Sequence, residues 1–327
     1  MIISKTPLRI SLAGGGTDLP NYYQKHNGAV INTAINKYIY VIVKKRFDDK
    51  IRISYTKTEL VDSVEEIQHD LVREALKLTG ITKGIEIITL ADIPSEGTGL
   101  GSSSTLTVGL LNALYSYLGH SVKNEELAKN ACKIELDILK KTIGKQDQYI
   151  AAYGGLRNFT FKKDGAVFTE LIHVDNEVSK MLGQNLMLFY TGITRSASRI
   201  LEIQNKNMSQ NYEQLKSLKE QCTVVNNLLK KNMLDDLGYE LDKGWKLKKT
   251  LSQGVSNDFI DQIYCDALQS GAIGGKITGA GGGGFLLLYV PIKYQSQVRE
   301  NIPLKELEFD LENYGSEIIF YNEELRI

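Results

Sequence analysis

The sequence is poor in the residues that build disulfide frameworks and zinc sites. It has three cysteines and four histidines in 327 residues. The cysteines lie far apart, are odd in number and form no C-x-x-C pair, which argues for a reducing compartment without a disulfide or zinc framework. The histidines lack metal-ligand spacing. We therefore expect structural cysteines and solvated or hydrogen-bonded histidines.

The sequence also lacks a charge imbalance and a long hydrophobic run. Its 39 basic and 39 acidic side chains give a formal net charge of zero, which argues against a nucleic-acid or membrane surface as the main partner. No run approaches the ~20 apolar residues of a membrane span. Lys5 and Arg9 interrupt the first apolar segment, unlike the core of a signal peptide. These absences predict a cytoplasmic protein with small-molecule partners, and a homo-oligomer is compatible with them.

The length of 327 residues exceeds that of a usual single hydrophobic core. Two domains of about 150 residues each are therefore expected. We place the boundary near residue 180, which gives an N-terminal domain at 1–180 and a C-terminal domain at 181–327. Residues 294–301 and 316–321 are expected to complete the second domain.

The first domain is predicted to begin with strands. Residues 2–12 and 29–45 have the alternation of half-buried strands, and residues 51–55 are predicted to pair with the second of them through a turn at 47–50. An amphipathic helix is predicted at 66–78, because its apolar residues recur at helical spacing.

The most informative stretch is PSEGTGLGSSST at residues 94–105. An isoleucine-rich strand pattern at 84–91 precedes it, and leucines at helical spacing over 106–118 follow it. The stretch therefore leads into a helix N-terminus, where free amide groups and the helix dipole favour an anion. Glycines remove side chains that would hold a phosphate away from the backbone, and serines add hydroxyls. The glycines are Gly97, Gly99 and Gly101, and the serines are Ser102, Ser103 and Ser104.

A simpler interpretation of this stretch is an ordinary N-cap, for which one serine is sufficient. The spacing also fits neither G-x-x-x-x-G-K-[ST] nor G-x-G-x-x-G. Through its G-L-G-S-S core it does resemble the P-x-x-x-G-L-G-S-S motif of the GHMP small-molecule kinases, named for galactokinase, homoserine kinase, mevalonate kinase and phosphomevalonate kinase. The resemblance implies that the three glycines and three serines bind the phosphates of ATP.

A second resemblance lies near the N-terminus, in PLRISLAGGGTD at residues 7–18. It is similar to the N-terminal substrate motif of the same family, with Arg9 and Asp18 at matching positions. Gly15 and Gly16 replace the Glu-His pair of galactokinases, which leaves space for an acceptor other than galactose. The run R-I-S-x-x-G-G-G-T-D resembles the bacterial heptose 7-phosphate kinases of this family. The resemblance implies that Gly15, Gly16, Thr17 and Asp18 contact the substrate.

Glu135 falls within the apolar stripe of a helix that begins near Asn124. A buried carboxylate needs a partner, and the residues alone favour a structural ion pair over a metal ion. In the GHMP pattern, the second serine of G-L-G-S-S and a glutamate on the next helix hold magnesium. The resemblance therefore implies Mg²⁺ on Ser103 and Glu135.

Asp147 lies in GKQDQ, at the start of a short helix. An aspartate in a first helical turn is commonly a stabilising partner of the helix dipole. The sequence also resembles the G-x-x-D-Q of the family, whose aspartate faces the acceptor hydroxyl. The resemblance implies that Asp147 is the catalytic base, and that Arg9 pairs with it and stabilises the transferred phosphoryl group.

Two further segments offer anion sites. Arg195 and Arg199 lie four residues apart at a predicted helix start and are candidates for the phosphate of a phosphosugar, although a solvated helix face is an equal alternative. Residues 276–285 contain a literal G-x-G-x-x-G, but an apolar strand follows it, so we predict a hairpin rather than a dinucleotide site. The segment resembles the third GHMP motif, which packs against the phosphate loop through Gly279, Gly281 and Gly282.

Together the three motifs imply an α+β, two-domain GHMP kinase architecture, with an N-terminal mixed β/α domain that carries the phosphate loop and a ferredoxin-like C-terminal domain. They imply a sugar kinase that uses ATP and Mg²⁺ to phosphorylate the anomeric hydroxyl of a heptose 7-phosphate, for surface polysaccharide synthesis. The alternatives are a fucose-type or galactose-type kinase, a noncatalytic sugar sensor and a dinucleotide oxidoreductase.

Overall fold

The structure is a computed structural model and describes residues 1–94, 97–194 and 197–322, without the side chains of residues 197 and 198. Within these ranges the strands form one nine-stranded sheet and one four-stranded sheet. No helix in the same ranges is both long and apolar enough to cross a bilayer.

The strands are β1 (Ile2–Ala13), β2 (Gly28–Lys45), β3 (Ile51–Ser54), β4 (Thr58–Val61), β5 (Ile85–Ala91), β6 (Leu156–Phe161), β7 (Val167–Leu171), β8 (Leu186–Tyr190), β9 (Gly274–Ile277), β10 (Phe285–Tyr289), β11 (Lys305–Leu307), β12 (Leu311–Glu312) and β13 (Glu317–Tyr321). The α-helices are α1 (Pro20–His26), α2 (Asp70–Thr79), α3 (Ser102–Tyr117), α4 (Asn124–Cys132), α5 (Gln146–Tyr153), α6 (Asn176–Asn185), α7 (Ala197–Lys206), α8 (Tyr212–Lys230), α9 (Leu234–Lys249), α10 (Asp258–Gln269) and α11 (Gln295–Asn301). A π-helix (Lys133–Ile138) continues α4, and 3₁₀ turns occupy Val64–Glu66 and Ile292–Tyr294.

The larger sheet is organised around β2, which confirms the long strand predicted at 29–45. One part of β2 pairs with β1 and β5, and its beginning pairs with β6, all antiparallel. Strand β1 is almost entirely buried, and α3 packs on the sheet. These two long strands carry the glycine turn at 14–16 and the side chain of Arg9.

The predicted pairing of 29–45 with 51–55 is wrong. Strand β3 instead pairs with β4 antiparallel and with β5 parallel, so β5 lies between β2 and β3. Ile85 and Ile87 of β5 are fully buried, and burial favours this apolar strand at the inner position. The loop after β2 is held by the start of β5 rather than closing a hairpin, because Arg46 N donates to Gly84 O and Gly84 N donates to Asp49 O.

The last two strands do not complete the second half of the chain, as was expected for residues 316–321. Strand β13 pairs with β1 and β12 pairs with β2, so both belong to the larger sheet. The free edge of β1 accounts for this, since an unpaired strand edge is stabilised by a further strand. The boundary near residue 180 stays a proposal.

The four-stranded sheet has the order β11, β8, β10, β9 and is buried on both faces. Leu186 and Leu188 of β8 join the main core, whereas Met187 and Phe189 face a second core with α10 and Trp245. Strand β10 is buried along its whole length and confirms the apolar strand predicted after residues 276–285. Helices α8 and α9 lie between this sheet and the larger one, where the site described next is formed.

Candidate active site

A cavity of about 640 Å³ lies where the two sheets and helices α8 and α9 meet. Glycine-rich segments at 14–16, 97–101 and 279–281 line it. Most of the charged and hydroxyl side chains singled out in the sequence line the same cavity. These are Arg9, Asp18, Ser102, Ser103, Ser104, Glu135 and Asp147.

The phosphate loop enters the cavity at the N-terminus of α3. Gly101 is the N-cap residue of α3, with φ of 83°, a left-handed conformation that favours glycine. A Cβ at Gly101 would lie 3.3 Å from Asp147 Oδ2, so the loop backbone approaches this carboxylate closely. Ser102 and Ser104 are buried, and Ser103 between them is exposed. The free N–H groups of the helix N-terminus are therefore available to an anion.

The hairpin β9–β10 packs directly on this loop. Phe285 N and Thr278 Oγ1 both donate to Thr98 O, each at 3.2 Å. A Cβ at Gly99 would lie 2.6 Å from the Thr278 carbonyl oxygen, a distance that Cβ atoms do not adopt. Glycine at position 99 therefore permits the hairpin that carries Gly279 and Gly281 to touch the phosphate loop. Gly282 lies on the far side of the hairpin, where its N–H donates to Val255 O.

Arg9 and Asp147 form a bidentate ion pair at the centre of the cavity. Arg9 Nε donates to Asp147 Oδ1 at 2.7 Å and Arg9 Nη2 donates to Oδ2 at 2.9 Å. Arg9 Nη1 donates to Gly99 O at 2.6 Å, which ties the pair to the phosphate loop. The Asp147 side chain is 24% exposed, so the carboxylate keeps lone pairs that face the cavity. The fork geometry fixes the orientation of this carboxylate.

Asp18 is buried between the glycine turn and the loop before α5. Its oxygens accept hydrogen bonds from Gly16 N and from the backbone and side chain of Gln146. Burial, followed by the nearby Asp147 charge, raises the pKa of Asp18. A Cβ at Gly144 would lie 1.8 Å from Asp18 Oδ2, so glycine is required there.

Thr17 holds the glycine turn against β2. Its hydroxyl donates to Gly14 O and to Ala29 O, both at 2.8 Å, and accepts from Ala29 N. The side chain is fully buried, and the hydrogen bonds of its hydroxyl are made to backbone groups. Gly15 and Gly16 line the cavity directly.

Glu135 is fully buried on the π-helix, at the phosphate-loop end of the cavity. Ser103 Oγ donates to Glu135 Oε1 at 2.9 Å and Gln148 Nε2 donates to Oε2 at 2.6 Å. Burial raises the pKa of Glu135. Among the described residues no cation lies within ion-pair distance of this carboxylate, which contradicts the structural ion pair.

The donors around Glu135 fit a magnesium nucleotide. In the described ranges no three His, Cys, Asp or Glu side chains cluster as metal ligands. Magnesium in nucleotide sites takes one or two protein oxygens and completes its shell with phosphate oxygens and water. A buried carboxylate paired with neutral donors beside an exposed serine hydroxyl matches that requirement.

The two arginines predicted for a phosphosugar are placed differently. Arg195 lies outside the described residues. Arg199 lies exposed in the first turn of α7, and the described lining of the cavity does not include it. A role for either arginine stays a prediction.

The chain is similar to known kinases over most of its length. Residues 64–155 match the family described as GHMP kinases N terminal domain. The chain is 34% identical over 306 residues to a D-glycero-alpha-D-manno-heptose 7-phosphate kinase from Campylobacter jejuni, with 88% of this chain and 89% of the relative covered. The chain belongs to the GHMP kinase family.

Solved structures support the same fold. A putative sugar kinase from Campylobacter jejuni is 30% identical, with a TM-score of 0.78 and 97% of each chain covered. A D-glycero-D-manno-heptose 1-phosphate kinase from Bacteroides thetaiotaomicron has a TM-score of 0.82 at 24% identity, covering 99% of this chain and 100% of that chain. The predicted α+β GHMP kinase architecture is confirmed, and the protein is a phosphotransferase.

Sequence reasoning missed three side chains of this GHMP kinase. Lys248 was assigned no role and Lys276 was treated only as the first residue of the segment at 276–285, yet both line the cavity. Gln148 orients Glu135 but received no role. Spacing offers a signal for Lys248, because Leu241, Gly244 and Lys248 follow the i, i+3, i+7 pattern of one helix face and all line the cavity.

Proposed function

We propose that this GHMP kinase transfers the γ-phosphoryl group of ATP to the anomeric hydroxyl of D-glycero-D-manno-heptose 7-phosphate, forming the 1,7-bisphosphate. The observation that carries the proposal is the Arg9–Asp147 ion pair, which lies against the phosphate loop at Gly99 and Gly101. The choice of sugar rests on the heptose 7-phosphate kinase at 34% identity. A cytoplasmic location belongs to the same proposal.

The phosphate loop binds the triphosphate through the α3 N-terminus. The free N–H groups of the first helical turn donate to phosphate oxygens. Ser103 and Glu135 would hold Mg²⁺, which when bound offsets charge on the phosphate oxygens. Gln148 keeps the Glu135 carboxylate directed at this position.

The Asp147 carboxylate accepts a hydrogen bond from the acceptor hydroxyl. Because Arg9 occupies one lone pair on each Asp147 oxygen, the remaining lone pairs accept the hydroxyl proton from the cavity side. Phosphoryl transfer requires positioning and electrostatic stabilisation more than a covalent nucleophile. Arg9 meets both needs, since it fixes Asp147 and brings a positive charge next to the phosphate loop.

An ATP-consumption screen tests the proposal. The purified protein is assayed with MgATP against heptoses, fucose, galactose and their phosphates, and the product is identified by ³¹P NMR. We expect turnover to be highest with heptose 7-phosphate and the new phosphate to be on the anomeric oxygen. Higher turnover with free fucose or galactose, or phosphorylation at another hydroxyl, contradicts the substrate assignment.

A further inference from the structure

Lys276 is a buried lysine for which the described residues offer no partner. Its side chain lies on β9 and is 8% exposed. Within the described ranges its ammonium group makes no hydrogen bond or ion pair, yet the residue lines the active-site cavity. Burying an unpaired charge is costly, so this placement calls for an anionic ligand.

The groups around Lys276 add positive charge rather than compensate it. Lys248 on α9 and Arg9 on β1 are close enough to oppose its protonation, while Cys222 on α8 acts in the other sense. Burial, reinforced by these two cations, lowers the pKa of Lys276 well below its ordinary value. Arg9 is already paired with Asp147, so Lys276 receives no counter-charge from it.

Lys248 is a second cation of the same end of the cavity. Its ammonium donates to the carbonyl oxygens of Gly279 and Ile277, which leaves it without a carboxylate partner. Burial and the Arg9 charge lower the pKa of Lys248 to about 8, and Asp18 opposes them. Lys248 and Lys276 together therefore provide a positive region that lacks its own anion.

This positive region belongs to the acceptor end of the cavity. Cys222, the neighbour of Lys276, donates to Ala29 O, and a Cβ at Gly14 would lie 2.5 Å from its sulfur. The glycine turn at 14–16 thus lies beside Cys222, which is close enough to Lys276 to influence its pKa.

We propose that Lys276, assisted by Lys248, binds the terminal phosphate of the acceptor sugar and so selects phosphorylated over free sugars. The inference rests on the proposed kinase function and adds the residues that set its substrate class. The terminal phosphate of the sugar carries nearly two negative charges. It supplies the counter-charge that the two lysines lack among the described residues. Lys276 is here a specificity residue, distinct from the Arg9–Asp147 pair that meets the reacting hydroxyl.

The test is Lys276→Met, which keeps the length and apolar character of the side chain. We expect the KM for heptose 7-phosphate to rise roughly ten- to hundredfold, the range of a charge-assisted hydrogen bond. The KM for ATP and the kcat/KM for unphosphorylated heptose should stay within about twofold of wild type. Lys248→Met should also raise the KM for heptose 7-phosphate, by a smaller factor.

Binding measurements make the test independent of turnover. Isothermal titration calorimetry of heptose 7-phosphate against wild type and Lys276→Met should show the same fold-loss of affinity. Thermal unfolding without ligand should show the variant to be at least as stable as wild type, because a buried unpaired charge has been removed. Lys246→Met is the matched control, since Lys246 lies on α9, pairs with Asp242 and is outside the cavity lining.

The outcomes separate this inference from the function on which it rests. Suppose that wild type phosphorylates heptose 7-phosphate. If Lys276→Met lowers kcat/KM equally for free and phosphorylated heptose, or lowers only kcat, the subsite is overturned and the kinase assignment stands. If wild type binds both sugars equally, the subsite is likewise overturned. If wild type phosphorylates free heptose but neither binds nor phosphorylates heptose 7-phosphate, both proposals fail.

Discussion

The two ends of the cavity are built in different ways. The phosphate-loop end consists of backbone amides, serine hydroxyls and one carboxylate, Glu135, and most of it comes from the single stretch at 97–104. The acceptor end is assembled from β1, α9 and β9, and it carries Asp18 together with the cations Lys248 and Lys276. One end attracts anions through the helix N-terminus and the other through side-chain charge.

This difference determines how much each end destabilises the folded protein. Backbone amides at a helix N-terminus are unpaired in any helix, so a phosphate site there needs little beyond glycine. Lys276 is instead buried without a partner among the described residues, which is unfavourable until a ligand supplies charge. In our proposal the acceptor end gains specificity at the expense of stability. The following substitutions test the two ends separately.

The largest effect is expected where the two ends meet. Asp147→Asn keeps the shape of the side chain but removes the carboxylate that accepts the hydroxyl proton. We expect kcat to fall by roughly a hundredfold or more, as for the loss of a general base, with MgATP affinity nearly unchanged. Steady-state kinetics and a nucleotide-binding titration measure the two quantities. Asp164→Asn, in the exposed β6–β7 turn, is the control, and near-wild-type turnover of Asp147→Asn would remove Asp147 from the base role.

The next effect concerns the phosphate-loop end alone. Gly99→Ala introduces a Cβ 2.6 Å from the Thr278 carbonyl oxygen, so the hairpin and the loop must separate. We expect ATP binding to weaken by about 1–3 kcal/mol, the range for overpacking a tight contact. Affinity for the sugar should change much less.

Gly119→Ala provides a matched control for this substitution. Gly119 also has positive φ, 75° against 73° for Gly99, but nothing lies within 4 Å of its added Cβ. Both variants have the strain of a left-handed alanine, and only Gly99→Ala adds the clash. Equal ATP affinities in the two variants would show that contact between hairpin and loop does not shape the nucleotide site.

The same contrast explains how much of the site could be predicted from the sequence. The glycines and serines that line the phosphate-loop end could be picked out in the sequence, because they are contiguous and lie between a strand and a helix. The acceptor end was predicted only in part. Lys276 and Lys248 are 28 residues apart and come together only when α9 packs on β9, which no local pattern records.

The fold shows the same limit. Periodicity located β1, β2, α3 and the hairpin β9–β10, whose patterns are long or strongly apolar. It did not show that β5 would lie between β2 and β3, since pairing partners depend on which strand is buried rather than on which is next in sequence. The return of β13 to β1 was missed for the same reason.

The smallest effect is expected from Glu135→Gln, which tests the carboxylate of the phosphate-loop end. Gln148 Oε1 has no hydrogen-bond partner, so an amide flip lets it accept from the new glutamine side chain. The variant should therefore fold normally. We expect the magnesium concentration for half-maximal activity to rise about tenfold, with little change in sugar affinity.

The pH dependence of stability gives Glu135→Gln a second readout. Because burial raises the pKa of Glu135 above its ordinary 4.5, the folded protein holds this proton to a higher pH than the unfolded chain does. The free energy of unfolding contributed by Glu135 therefore falls as pH rises from 4.5 through the raised pKa. Without magnesium, chemical denaturation should show that the free energy of unfolding of the variant rises relative to that of wild type as pH increases through this window. Above the window the difference should stay constant. MgATP should stabilise wild type more than the variant. An unchanged magnesium requirement together with a variant less stable at pH 7 would mean that Glu135 serves the fold rather than the metal.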